Sequence, residues 1–215
     1  MEVEKNIKNA MAHRIIVALD GISEKKALSV AKKLRGLVWG FKVNDLLFGS
    51  PGIIKKLKKY GKVFADAKLY DIPNTVSNSV KRLSTLGADI ITVHASGGVE
   101  MMRAAKKAAG KSKIIAVTIL TSHKERTGFN KLLKDAQTAG VDGIICSAYE
   151  LKFVKGNLLK IVPGIRPGWY KKKDDQKVTI TPKEAIRLRA DYIIIGRPIL
   201  DARDPVKAFM AIQQI

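Results

Sequence analysis

The sequence predicts an α/β protein of the (β/α)8 barrel class, a TIM barrel forming one domain over residues 1–215. Three observations predict it. Short runs rich in Val and Ile recur along the chain, and an amphipathic stretch follows each one. The runs are apolar throughout rather than alternating, which marks strands buried on both faces of a parallel sheet. Eight such strand–helix units in about 200 residues is the number that closes a barrel. A doubly wound open sheet is the competing architecture. It usually needs fewer strands or a glycine-rich first turn, and no G-x-G-x-x-G follows the first run.

The first strand is expected at 14–20 (RIIVALD), the second at 37–42 (LVWGFK), the third at 62–68 (KVFADAK) and the fourth at 89–94 (DIITVH). The fifth follows at 113–120 (KIIAVTIL), the sixth at 143–147 (GIICS), the seventh at 159–163 (LKIVP) and the eighth at 192–196 (YIIIG). Helices are expected at 23–34, where Ser23 offers an N-cap, and at 52–60, 74–86, 99–109, 130–139, 149–155, 182–189 and 205–214. A short lead-in helix is expected over the first twelve residues. The segment 166–177 (RPGWYKKKDDQK) is polar, glycine-bearing and long for a strand–helix loop, so it is expected to be the mobile one.

Forty Lys and Arg against 19 Asp and Glu leave a formal charge of +21, which invites a nucleic-acid reading. The lysines, however, are spread over nearly every helix, as in KKLRG, KKLKKYGK and KKAAGKSK, which is the pattern of a solvated surface. There is no RNP-like aromatic motif, zinc-finger spacing or separate basic tail, so no specific nucleic-acid partner is expected. The single cysteine, Cys146, excludes an internal disulfide and a multi-cysteine zinc site, and within GIICS it reads as a buried core thiol. The apolar runs are far too short to span a membrane. The N-terminal MEVEKNIKNAMAHR is polar and mixed in charge rather than a secretory signal, so a cytoplasmic location is expected.

In a barrel of this class the chemistry sits at the C-terminal ends of the strands. Asp20 closes the first expected strand, Lys42 the second, Asp66 and Lys68 the third, and His94 the fourth. Side chains alternate faces along a strand, so Phe64, Asp66 and Lys68 share one side and Ala65 and Ala67 the other. Asp66 and Lys68 are thus expected to point into the barrel mouth. A buried charged pair is costly unless other charges compensate, and Lys42 and Asp20 on neighbouring strands supply an alternating Asp-Lys-Asp-Lys array. One such residue at a strand end is commonly a solvated loop residue; their joint placement on three adjacent strands is what points to a site. His94 alone reads as a packed structural histidine. Gly196-Arg197, after three isoleucines and before a short helix, fits the anion site of the seventh and eighth strands of such barrels.

The run Asp66-Ala67-Lys68-Leu69-Tyr70-Asp71-Ile72-Pro73-Asn74-Thr75 matches the D-x-K-x-x-D-I-P-x-T signature of orotidine 5′-phosphate decarboxylases. VALD at 17–20, VHASGG at 93–98, VTILTS at 117–122, CSAYE at 146–150, VPGIRP at 162–167, DDQ at 174–176 and IGRPI at 195–199 resemble further motifs of that family, in the family's order. The resemblance covers nearly the whole chain. It implies decarboxylation of orotidine 5′-monophosphate to UMP and CO2 in pyrimidine biosynthesis, with no metal and no organic cofactor. No His, Cys or carboxylate cluster in the sequence has convincing metal-ligand spacing.

The resemblance also implies roles. Lys68 would protonate C6 of the pyrimidine, and Asp66 would lie beside the departing carboxylate and hold Lys68. Lys42 and Asp20 would contact the ribose hydroxyls. Asp71 and Thr75 would reach into the active site of a second subunit, making the enzyme a homodimer with shared sites, and Ile72 would be a further substrate-binding residue. Ser122, with Thr121 beside it, would read the pyrimidine edge. Gln176, Arg197, Gly196 and Arg166 would grip the phosphate beneath the closing 166–177 loop. The competing readings are a related magnesium-dependent sugar-phosphate decarboxylase or aldolase and, in a different class, a basic nucleic-acid-binding protein. The sugar-phosphate enzymes, such as 3-keto-gulonate-6-phosphate decarboxylase and hexulose-phosphate synthase, resemble each other in carrying a carboxylate near the end of the second strand, where this chain has Lys42. They also lack the I-P-x-T extension that Ile72 to Thr75 provides.

Overall fold

The computed structural model describes residues 13–120, 127–172 and 178–214; the expected lead-in helix lies outside them. Eight parallel strands close into a barrel in sequence order. They are β1 (Ile15–Ala18), β2 (Gly40–Val43), β3 (Lys62–Leu69), β4 (Ile90–His94), β5 (Lys113–Val117), β6 (Gly143–Ile145), β7 (Leu159–Val162) and β8 (Tyr192–Ile195). Each expected strand is present. β5 and β6 stop short of the expected ends, at Val117 and Ile145, because the Thr118 hydroxyl donates to the Ile145 carbonyl at 2.9 Å where the ladder would continue.

The helices are α1 (Glu24–Lys33), α2 (Asp45–Gly49), α3 (Ile53–Leu57), α4 (Pro73–Thr85), α5 (Gly98–Ala108), α6 (Phe129–Ala139), α7 (Pro182–Arg187), α8 (Arg197–Leu200) and α9 (Pro205–Gln213). Ser23 caps α1 as expected, accepting the Lys26 N–H at 3.3 Å. Pro73 opens α4 at its first position, where the missing N–H costs nothing. The helix expected at 149–155 is instead a 3-10 turn, Ala148–Phe153. Its start is fixed by a buried capping box, in which the Ser147 N–H donates to Glu150 Oε2 at 2.7 Å, and Val154 is already extended.

Strand alternation sorts the core into two layers. Ile16, Phe64, Ile90, Ile115, Ile161 and Ile194 fill the barrel interior. Their neighbours in sequence, such as Val17, Ala65, Ile91 and Ile195, pack outward beneath the helices. Gly40 faces inward at the first position of β2. A Cβ there would lie 2.2 Å from the Lys62 carbonyl oxygen, so only glycine lets β2 and β3 pair.

One device recurs before three of the strands. Asp89 donates its N–H to the Val63 carbonyl and accepts the Val63 N–H on its carboxylate, both at 2.8 Å. Asp142 pairs with Ile114 in the same two ways, and Asp191 with Lys160. Each aspartate thus closes a ring across the outer end of a strand pair and adds a lysine, from Lys58, Lys106 or Lys160. Two residues earlier the chain turns with positive φ every time: +97° at Gly87, +73° at Gly140 and +66° at Arg189. Only the third is not glycine, and a left-handed backbone costs an L-residue about 1–2 kcal/mol. Arg189→Gly is therefore expected to stabilise the fold by about 0.5–1 kcal/mol after glycine's extra chain entropy, raising Tm by about 1–4 °C. An unchanged or lowered Tm in calorimetry refutes this.

Candidate active site

Four charges converge where β1, β2 and β3 reach the mouth of the barrel. Gly40 and Lys42 face inward, while Phe41 and Val43 join the outer layer, so β2 delivers the Lys42 side chain to the interior. Lys42 Nζ donates to Asp20 Oδ2 at 2.6 Å and to Asp66 Oδ2 at 3.1 Å. Lys68 Nζ donates to the same Asp66 oxygen at 2.6 Å. The order in space is Asp20, Lys42, Asp66, Lys68, with signs alternating. Lys42 and Asp66 are almost wholly buried, at 6% and 4% exposure. Lys68 keeps a third of its side chain open to the cavity, and Asp20 somewhat more.

The strand that carries Asp66 and Lys68 is not regular. Ala65 pairs with Ile91 and Leu69 with Val93, so residues 66–68 stand opposite Thr92 alone. Lys68 sits at φ +46°, a left-handed conformation rare for a lysine and worth about 1–3 kcal/mol of strain. The backbone groups that leave the ladder are taken by side chains from both neighbouring strands. Asn44, just beyond β2, donates to the Asp66 carbonyl at 2.7 Å. Thr92, in β4, accepts the Lys68 N–H on its hydroxyl at 2.8 Å and donates that hydroxyl to Asp66 Oδ1 at 3.0 Å. Asp66 and Lys68 share the inward side as alternation predicts, through a backbone that alternation does not describe.

Burial works against every charge in this group, and the partners outweigh it. For Asp66, burial would push the carboxyl up, but Lys42 and Lys68 hold it below the usual carboxylate range. For Lys42, burial would push the ammonium down, but Asp66 and Asp20 hold it above the usual lysine range. Both are therefore ionised around neutrality. The contribution of Asp66 to stability is lost as pH falls through its lowered folded pKa, and that of Lys42 as pH rises through its raised one. His94, at the end of β4, is pushed down by burial and then by Lys68, with Asp66 opposing, so it is neutral at pH 7. It packs edge-on against Tyr70 at 6.2 Å between ring centres. Cys146 is fully buried, as expected.

A cavity of about 330 Å³ opens above the array. Asp20, Lys42, Asp66 and Lys68 line one part of it; Arg166, Gly196 and Arg197 line another. Val117, Ile145 and Ile194 form an apolar floor between them. Gly196 lies so close to β1 that a Cβ would come within 3.3 Å of the Ala18 methyl. Arg166 donates to the Ile165 carbonyl at 2.9 Å and lies over the Tyr170 ring. The base of the expected mobile loop is anchored by the Arg166 N–H on the Ile180 carbonyl at 2.9 Å, and Tyr170 and Lys172 reach Asp201 at 3.0 Å. Among the described residues, no three His, Cys, Asp or Glu side chains converge as a metal site.

The structure therefore brings together Asp20, Lys42, Asp66, Lys68, Arg166, Gly196 and Arg197. Thr121, Ser122 and Gln176 lie outside the described residues. Asp71, Ile72 and Thr75 do not line this cavity. They stand exposed at the head of α4, where the Asp71 carboxylate accepts the Ile72 N–H at 2.7 Å. Thr92 and Asn44 were not anticipated, although carrying period-two alternation one step further picks out both, since Asn44 follows Lys42 by two and Thr92 precedes His94 by two.

Comparison with known proteins agrees with the geometry. Residues 13–212 match the model of the orotidine 5′-phosphate decarboxylase / HUMPS family. The chain is 40% identical to an orotidine 5′-phosphate decarboxylase of Dichelobacter nodosus, covering 92% of this chain and 96% of that protein. It is 41% identical to one of Streptococcus pneumoniae, covering 94% and 95%. The crystal structure of orotidine 5′-phosphate decarboxylase from Lactobacillus acidophilus superposes with a TM-score of 0.76 at 36% identity, over 94% of this chain and 98% of that one. With its closed barrel, its charged array at the ends of β1 to β3 and relatives matched over nearly its full length, this chain belongs to the orotidine 5′-phosphate decarboxylase / HUMPS family.

Proposed function

We propose that this protein decarboxylates orotidine 5′-monophosphate to UMP and CO2, a step of pyrimidine biosynthesis, in the cytoplasm. The observation that carries the reading is Lys42 Nζ lying between Asp20 and Asp66 while Lys68 Nζ shares the same Asp66 oxygen. This arrangement also separates the two branches of the family. At the end of β2 an ammonium, Lys42, stands between the two carboxylates, and with Lys68 the array sums to zero charge and gives a divalent cation little to bind.

The substrate lies along the cavity with its phosphate toward Arg197, Gly196 and Arg166, joined by Gln176. Its ribose hydroxyls meet Asp20 and Lys42, and Ser122 and Thr121 read the pyrimidine edge. The C6 carboxylate then sits beside Asp66. When the C6–C bond breaks, CO2 departs and the electron pair stays on C6, where no conjugated system accepts it. The Lys68 ammonium stabilises that developing charge and gives it a proton, so that C6–H forms and neutral lysine remains to be recharged from water. Fixed charges need no reorganisation as the reaction proceeds, and binding energy from the distant phosphate offsets the cost of ordering the site.

We also propose a homodimer in which Asp71, Ile72 and Thr75 complete the partner's site. Support comes from the decamer 66–75: its Asp66 and Lys68 line the cavity, while Tyr70 and Ile72 just beyond them are each 65% exposed, which is unusual for such apolar side chains.

The direct test follows the ultraviolet absorbance of orotidine 5′-monophosphate with purified protein in EDTA. Loss of the substrate signal with formation of UMP is expected. No turnover, or turnover only after magnesium is added, overturns the reading.

A further inference from the structure

We propose that Thr92 is a positioning residue for this reaction: a single hydroxyl that sets the orientation of the Asp66 carboxylate and the backbone of Lys68 together. The inference rests on the decarboxylase reading above.

Thr92 is fully buried in β4, facing the barrel interior. A hydroxyl has one proton to give and lone pairs to accept with. Here the proton goes to Asp66 Oδ1 at 3.0 Å, and a lone pair takes the Lys68 N–H at 2.8 Å. The other Asp66 oxygen is shared by Lys42 and Lys68, at 3.1 and 2.6 Å. The carboxylate is thus held at both oxygens. Without Thr92 its only side-chain partners would be two ammonium groups on one oxygen, and it could turn about its Cβ–Cγ bond. The second hydrogen bond acts on Lys68 directly. Lys68 holds φ +46° in a part of β3 that has left the ladder, and Thr92 supplies the acceptor its N–H would otherwise lack. The place where the ammonium emerges depends on that backbone angle. One side chain therefore ties the proton donor to the carboxylate that orients it, without touching the substrate. Thr92 is not one of the residues that line the cavity, which agrees with a role exerted through Asp66 and Lys68.

Valine has the shape of threonine without the hydroxyl, so Thr92→Val separates this role from packing. T92V is expected to lower kcat by about 10²-fold, the order associated with a misplacement of about 1 Å. KM for orotidine 5′-monophosphate and the affinity for UMP should stay within about threefold, because the phosphate and ribose contacts are untouched. Thr92→Ser, which keeps the hydroxyl and loses the methyl, should recover most of kcat. A crystal structure of T92V should find Lys68 out of the left-handed region or Asp66 rotated. Should T92V fail to fold, Thr92→Cys carries the same comparison with a weak thiol donor and an intermediate kcat. Wild-type kcat in T92V, or equal losses in T92S and T92V, overturns the proposal. If wild-type protein does not decarboxylate the substrate, it is the parent reading that fails, and the T92V crystal structure alone then decides whether Thr92 sets this geometry.

Discussion

Lys68→Ala is expected to lower kcat/KM for orotidine 5′-monophosphate by roughly 10⁵-fold, combining the loss of a positioned proton donor with the loss of a fixed charge at C6. The fold should survive. Asp66 would keep Lys42 at 3.1 Å and the Thr92 hydroxyl at 3.0 Å, so the buried carboxylate does not lose all its partners. Alanine inherits the same φ of +46°, so the backbone strain is neither relieved nor increased by much. Affinity for UMP should change far less than kcat, because binding is assigned to the phosphate and ribose contacts rather than to the ammonium. Circular dichroism and Tm report on the fold, calorimetric titration with UMP reports on binding, and the absorbance assay reports on turnover. Activity within tenfold of wild type in a well-folded variant removes Lys68 from its role. Asp66→Ala is a poorer test of the same chemistry, since it would leave two ammonium groups, one almost wholly buried, with Asp20 as the one carboxylate of the array to compensate them.

The eight strands were legible because barrel strands are buried on both faces and read as unbroken apolar runs. α2 and α8 were not predicted at their bounds, since five and four residues are too few to display a helical period. The 3-10 turn at Ala148–Phe153 carries a good helix composition, and only tertiary packing decides against a full helix there. In the site, alternation was enough to find Asp20, Lys42, Asp66 and Lys68, because a charge at an inward position is conspicuous. Thr92 escaped for the opposite reason: a threonine within a β-branched run looks like any strand former. The left-handed turn at Lys68 has no signature in the sequence at all, since lysine does not favour it; it follows from what Asn44 and Thr92 hold in place. The formal charge of +21 pointed away from the site, whose four members sum to zero.

Mixing two inactive variants is expected to create activity that neither has alone. Lys68→Ala removes the proton donor from a subunit's own cavity, and Asp71→Ala removes what that subunit contributes to its partner. In a hybrid dimer one cavity combines the Lys68→Ala defect with the lost Asp71, and the other has both groups intact. Random exchange of equal amounts makes about half of the dimers hybrid, each with one native site of two, so activity should approach about a quarter of wild type. The expectation follows from an exposed loop beside a buried array. Asp71 is exposed and absent from its own cavity, yet it lies only three residues beyond Lys68, whose ammonium contacts Asp66 at 2.6 Å. A loop held that close to the chemistry, with Tyr70 and Ile72 turned outward beside it, is well placed to meet a second copy across a two-fold axis. Subunit exchange is verified independently with differently tagged chains. If tagged hybrids form and the mixture stays inactive, the sites are not shared, and Asp71, Ile72 and Thr75 belong to the surface rather than to the reaction.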